Sequence, residues 1–200
     1  MKNFIEIGKT EDEQAQQIKK WIKENGPQII AGIALGLGGI WGLGAYKAHE
    51  YQQTIEARAL YLNSNTTALE ELNTNHSDSG YLPQATLMQA KIAAKDKDYK
   101  LALQYLSPLM TDDNSLIAKV ATMRTASIQL ELGSFSEAIA TLDNTTAGQF
   151  DGLYSQLKGD IYVADNNIDE AKKYYRLALS QISKDSELQS LINIKLADLN

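Results

Sequence analysis

The stretch from Lys158 to Tyr175 reads KGDIYVADNNIDEAKKYY. A small residue, Gly159, stands twelve positions before Ala171, and the bulky Tyr175 follows four positions after that alanine. Two earlier stretches align with it: QAKIAAKDKDYKLALQYL from Gln89 and TASIQLELGSFSEAIATL from Thr125. The small residue and its alanine recur as Ala90/Ala102 and Ala126/Ala138, and the bulky residue as Leu106 and Leu142. The starts lie 36 and then 33 residues apart, a period typical of helix-pair repeats. The spacing has a steric reason. A small residue on the first helix lets the second cross closely at its own alanine, and the bulky residue one turn on fills the gap to the next unit.

The third unit adds Tyr162 and Ala178, giving the tetratricopeptide pattern G-x-x-Y followed by A-x-x-x-F, with Tyr175 for Phe. The positions that usually hold Trp, Leu and Pro carry Ser155, Lys158 and Ser183, so these are divergent repeats. Ser134 with Glu137, and Asn167 with Glu170, are capping-box patterns for the second helices. Loops are expected at Thr111–Ser115, Asp143–Gly148 and Ser183–Asp185. Ser186 opens a last helix whose Leu188, Leu191, Ile192, Leu196 and Leu199 would cap the open end of the stack. Residues 47–72 read as one helix, followed by a polar loop at Asn73–Gly80. The fold class is therefore all-α, with a tetratricopeptide-like solenoid over 47–200.

Upstream, 22 residues from Asn25 to Tyr46 carry no charge. Their core, IIAGIALGLGGIWGLGAY, is about 27 Å long as a helix, close to the thickness of a bilayer's hydrocarbon. Its six glycines would weaken a helix in water but are tolerated in lipid. The segment 28–46 is thus expected to be a transmembrane helix. Signal-peptide n-regions are short and basic, whereas this run is preceded by a long polar arm with five acidic residues. That favours an uncleaved anchor, although Gly42-Leu43-Gly44 would suit a peptidase. Lys19, Lys20 and Lys23 precede the run, and Lys47 and Arg58 follow it. This bias places the N-terminus in the cytoplasm and the repeats across the membrane. Gly32/Gly36 and Gly38/Gly42 repeat at i, i+4 and offer a face for close approach of another helix, or simply reflect a glycine-rich span.

Residues 1–27 form the cytoplasmic arm. Thr10 to Glu13 is a capping box, and Ala15, Ile18, Trp21 and Ile22 share a helical stripe that Gly26-Pro27 should end. Such a helix either lies on the lipid surface or docks a cytosolic protein.

The remaining composition is mostly exclusion. With 19 basic and 25 acidic residues the net charge is −6, which argues against nucleic-acid binding. The absence of cysteine excludes disulfides and thiolate chemistry, and suits an oxidising compartment. His49 and His76 are too far apart for a paired helical metal site. No cofactor is expected, and an enzyme would need a separate domain with paired carboxylates. The reading is non-enzymatic.

In its whole layout the chain resembles the YfgM family of ancillary SecYEG translocon subunits. The resemblance rests on the turn Glu24-Asn25-Gly26 before a glycine-rich span, on Met123-Arg124-x-Ala126, on Ala138-x-x-x-Leu142-Asp143 and on the tail Ile194-Lys195-Leu196-x-x-Leu199. It implies a single-pass inner-membrane protein with a periplasmic repeat domain. The implied partners are the SecYEG translocon, a PpiD-type membrane-anchored chaperone handling newly exported proteins, and an envelope-stress response regulator at the arm. The competing reading is a membrane-anchored scaffold for outer-membrane assembly or cell division. In tetratricopeptide-like solenoids the first helices line the concave face. Register from Ala90, Ala126 and Gly159 puts Lys91, Ser127 and Asp160 there, joined one turn earlier by Leu87, Met123 and Gln156. Leu87 and Met123 are equally compatible with the core.

Overall fold

The computed structural model describes residues 11–63 and 65–199. Among them the secondary structure is helical: α1 (Glu11–Asn63), α2 (Thr66–Asn75), α3 (Tyr81–Lys95), α4 (Tyr99–Leu109), α5 (Ser115–Glu131), α6 (Phe135–Asp143), a 3-10 turn (Gly148–Phe150), α7 (Asp151–Ala164), α8 (Ile168–Gln181) and α9 (Glu187–Ala197). The chain divides into two compact units between Ile55 and Glu56.

The first unit is helix α1 up to Ile55. Thr10 of the expected capping box lies outside the described residues, but Glu11, Asp12 and Glu13 occupy the first turn, where carboxylates favour the positive end of the helix dipole. The break expected at Gly26-Pro27 does not occur, and α1 runs through Pro27. Proline forfeits the hydrogen bond its own N–H would make, at a cost of about 3 kcal/mol. Long helical runs on both sides outweigh that single loss. The most apolar window of α1 has a mean hydropathy of 1.7 and none of it is buried, so this helix is long and apolar enough to cross a membrane. Leu35 and Trp41 are 79% and 81% exposed, a surface suited to lipid rather than water.

The second unit is a stack of helix pairs: α3/α4, α5/α6 and α7/α8, closed by α9. The positions picked out by the sequence period are the ones that pack. Ala90, Ala102, Ala126, Ala138 and Ala171 are buried, as are Leu106, Leu142 and Tyr175. A Cβ built on Gly159 would sit 2.5 Å from the Tyr175 ring, so only glycine fits beneath that tyrosine.

The repeats turn the same way. Lys97, Gly133 and Asn166 each adopt positive φ between the two helices of their pair. The residue after each donates its backbone N–H back into the first helix: Asp98 to Ala93, Ser134 to Gln129 and Asn167 to Tyr162, at 2.8–2.9 Å. That six-residue closure is the Schellman arrangement. Asp98 and Asn167 then cap the following helix through their side chains, whereas Ser134 makes no side-chain cap bond, contrary to its capping-box pattern.

Two boundaries differ from the sequence reading. The helix expected over 47–72 ends at Asn63, and Asn65 Oδ1 starts α2 by accepting from the Ala68 N–H at 2.7 Å. Helix α2 then continues to Asn75, so the polar loop begins later than Asn73. The end of α1 thereby shares a small apolar core with α2 and α3. Ala57, Leu72 and Ala85 are buried together, with Leu60, Tyr61, Leu69, Tyr81 and Leu82 around them. At the other end Ile192 of α9 packs on Tyr175 and Ala178, while Leu191 is exposed rather than part of the cap's contact.

Candidate functional site

Helices α3 and α5, the first helices of two successive pairs, leave a cleft of about 280 Å³ between them. It is lined by Ala90, Lys91 and Ala94 of α3, Leu106 of α4, and Arg124, Ser127 and Ile128 of α5. The cleft follows from the repeat itself. Ala90 and Ala94 lie one turn apart on α3 and are too small to close the space to α5. Leu106, the gap-filling residue of the first pair, is buried beneath. Arg124, Ser127 and Ile128 fall at i, i+3 and i+4 and so present one face of α5.

Arg124 is the best-anchored polar group of this cleft. Its Nη1 donates to the Leu87 carbonyl at 2.8 Å, tying α5 to α3. Partial burial lowers its pKa from the ordinary value, and arginine remains charged regardless. Ser127 Oγ donates to the Met123 carbonyl at 2.9 Å within its own helix. Lys91 is exposed.

Of the six positions expected on the inner face, the structure brings Lys91 and Ser127 together at this cleft. Leu87 is buried in the core around Ala90 and Leu106. Met123 is half-buried against the core that contains Ala126 and Leu142. Gln156 and Asp160 lie apart from the cleft, on α7, in a polar cluster of their own. Asp160 accepts from Tyr175 Oη at 2.6 Å, Gln156 Nε2 at 2.7 Å and Lys195 Nζ at 2.7 and 2.8 Å. This cluster fastens α8 and α9 onto α7. Burial, the bond to Asp160 and the nearby carboxylate all push the Tyr175 hydroxyl well above the usual phenol range.

Sequence reasoning missed Arg124 as a lining residue, although it lies three positions before Ser127 and its i, i+3 neighbour relation was readable. Lys195 as a partner for Asp160 was not readable, because 35 residues separate them and only the folded stack joins α9 to α7.

In α1, a Cβ on Gly32, Gly36, Gly38 or Gly42 would, beyond the helix's own nearby backbone, meet no atom of the described residues within 4 Å. His49 is exposed and His76 ends α2. Among the described residues no group of three or more His, Asp or Glu side chains is placed to hold a metal ion.

Residues 19–200 match the tetratricopeptide repeat-like domain family, to which the chain belongs. It is also similar to curated proteins described as ancillary SecYEG translocon subunits. The one from Haemophilus influenzae is 28% identical over 200 residues, covering 94% of this chain and 97% of the relative. That of Aggregatibacter actinomycetemcomitans is 29% identical with the same coverage. The Escherichia coli protein is 21% identical, covering 98% of this chain and all of its own.

Proposed function

We propose that this tetratricopeptide-like protein is an ancillary subunit of the SecYEG translocon, a non-enzymatic inner-membrane protein that acts through protein–protein contacts at the exit of the export channel. The observation that carries the proposal is the alignment with ancillary translocon subunits over 94% of this chain and 97% of theirs. At that coverage the aligned part of this chain takes in the repeats and apolar helix residues upstream of them. In this reading residues 1–27 are a cytoplasmic arm, 28–46 cross the membrane, and 47–200 stand in the periplasm. The glycine face Gly32, Gly36, Gly38 and Gly42 meets another membrane helix, whose backbone small residues allow to come close. The repeat domain works beside a PpiD-type membrane-anchored chaperone on newly exported chains, and the arm contacts an envelope-stress response regulator. Lys91 and Ser127 are partner contacts on the first-helix surface, while Leu87 and Met123 pack in the core beneath and Gln156 and Asp160 belong to the cluster that fastens α8 and α9 onto α7.

Affinity purification of the full-length protein from membranes in mild detergent tests the proposal. SecY, SecE and SecG should dominate the recovered proteins, with a membrane-anchored chaperone beside them. Recovery dominated by outer-membrane assembly or cell-division proteins would replace this reading with a scaffold for another envelope complex.

A further inference from the structure

We infer that the cleft between α3 and α5 receives a protein segment in which an aliphatic side chain stands next to a carboxylate. This deepens the proposed function and rests on its premise that the repeats hold protein partners.

The argument begins with what lines the cleft. Ala90, Ala94, Leu106 and Ile128 supply its apolar part, and among the described residues the charged ones lining it are Lys91 and Arg124. No carboxylate of the described residues lines it. The surrounding domain has the opposite balance, since residues 48–200 carry 13 basic and 20 acidic groups, 13 − 20 = −7. A pair of cations beside an apolar pocket on an acidic domain selects its occupant by charge as well as by shape.

Arg124 is prepared for that role. A guanidinium has five N–H donors in a planar fork, and the bond from Nη1 to the Leu87 carbonyl fixes the plane while using one nitrogen. The remaining donors match a carboxylate, for which charge-assisted bonds are the strong kind. Lys91, across on α3, adds a mobile second cation at the same mouth. A volume of about 280 Å³ is at the lower end for a small-molecule pocket, and suits one or two aliphatic side chains of a chain passing over it.

The full-length protein in detergent or nanodiscs is titrated against fluorescein-labelled peptides followed by anisotropy. The probes are LDLEL-amide, LKLKL-amide and SDSES-amide, each carrying the fluorescein on its N-terminal amine. The first should bind about tenfold or more tightly than the other two, needing both carboxylate and leucine. Lys91→Glu and Arg124→Gln should each weaken it about fivefold or more, and Ala94→Trp should block it by filling the pocket. Circular dichroism melts guard against unfolding, and Lys91→Glu, at an exposed position, keeps the test decisive if Arg124→Gln melts early. Equal binding of the acidic and basic leucine peptides, or wild-type affinity in Lys91→Glu and Ala94→Trp, overturns the inference. If no peptide binds while SecY, SecE and SecG still co-purify, the cleft assignment falls and the translocon reading stands. If the acidic leucine peptide binds but other envelope proteins are recovered, the cleft assignment stands and the translocon reading falls.

Discussion

Gly159 and Tyr175 meet too closely for any side chain larger than hydrogen at position 159. A methyl group at position 159 would lie 2.5 Å from two carbons of the Tyr175 ring, and that ring is held from its far end by Asp160. The tyrosine therefore cannot swing aside without giving up its hydrogen bond. Gly159→Ala should destabilise the domain by about 1–3 kcal/mol, the usual cost of overpacking, read as a fall of several degrees in Tm. An unchanged melt would mean that α7 and α8 do not cross here. The same tyrosine predicts an alkaline sensitivity. Its folded pKa is raised, first by burial and then by its bond to Asp160. Above about pH 10 an unfolded tyrosine loses its proton while the folded one keeps it, so the folded state binds more protons. Stability must then fall as pH rises through this range. Tyr175→Phe keeps the packing and removes the titration. It should lower stability near neutral pH by about 1–3 kcal/mol, the loss of a hydrogen bond to a charged group. The gap to wild type should narrow above pH 10 in denaturant titrations at stepped pH. A constant gap would mean that Tyr175 titrates normally in the folded state.

At the scale of elements, what the sequence revealed and what it hid have one physical dividing line. The contacts within a helix pair recur at a fixed spacing, so Ala90/Ala102, Ala126/Ala138 and Gly159/Ala171 could be read directly and are buried in the structure. The small core of Ala57, Leu72 and Ala85 escaped because it follows no repeat spacing, and an asparagine-started helix at 65 and the long apolar helix upstream disguised it. Pro27 misled in the opposite sense, since a local breaker signal was overridden by the helix on both sides. The cleft was legible through Lys91 and Ser127 and, as the i, i+3 neighbour of Ser127, through Arg124, whose bond to the Leu87 carbonyl follows only from the way α5 lies against α3. The turns carry a prediction of their own. Lys97 holds φ 62° where its counterpart Gly133 holds φ 74° without a Cβ. A left-handed non-glycine residue costs about 1–2 kcal/mol, and glycine's extra freedom in the unfolded chain offsets about 0.4–1 kcal/mol of that. Lys97→Gly should therefore raise Tm slightly and Gly133→Ala should lower it. The same sign of shift for both would contradict the shared turn geometry.

For the whole molecule the question is which way it faces, and the argument is electrostatic. Orientation of a single span follows lysine and arginine within about 15–20 residues of its ends, with acidic residues counting little. On the N-terminal side these are Lys19, Lys20 and Lys23, against Lys47 and Arg58 beyond the span. The margin is one charge, or two with the more distant Lys9, and it favours retaining the N-terminus in the cytoplasm and carrying the acidic repeat domain across. The absence of cysteine agrees with that compartment, since the domain contains no thiol to be oxidised there. A phosphatase reporter that folds only outside the cytoplasm should be active when fused after Asn200 and inactive when fused before the arm. The opposite pattern would place the repeats in the cytoplasm and remove the exported chain as their client. Because the margin is small, it should also be easy to erode. Replacing Lys19, Lys20 and Lys23 with glutamine leaves Lys47 and Arg58 as the nearer charges, and should shift part of the population to the inverted orientation. Reporter activity after Asn200 would then fall while total protein stays constant. Full activity in that triple variant would show that the long arm, rather than the lysines, fixes the topology.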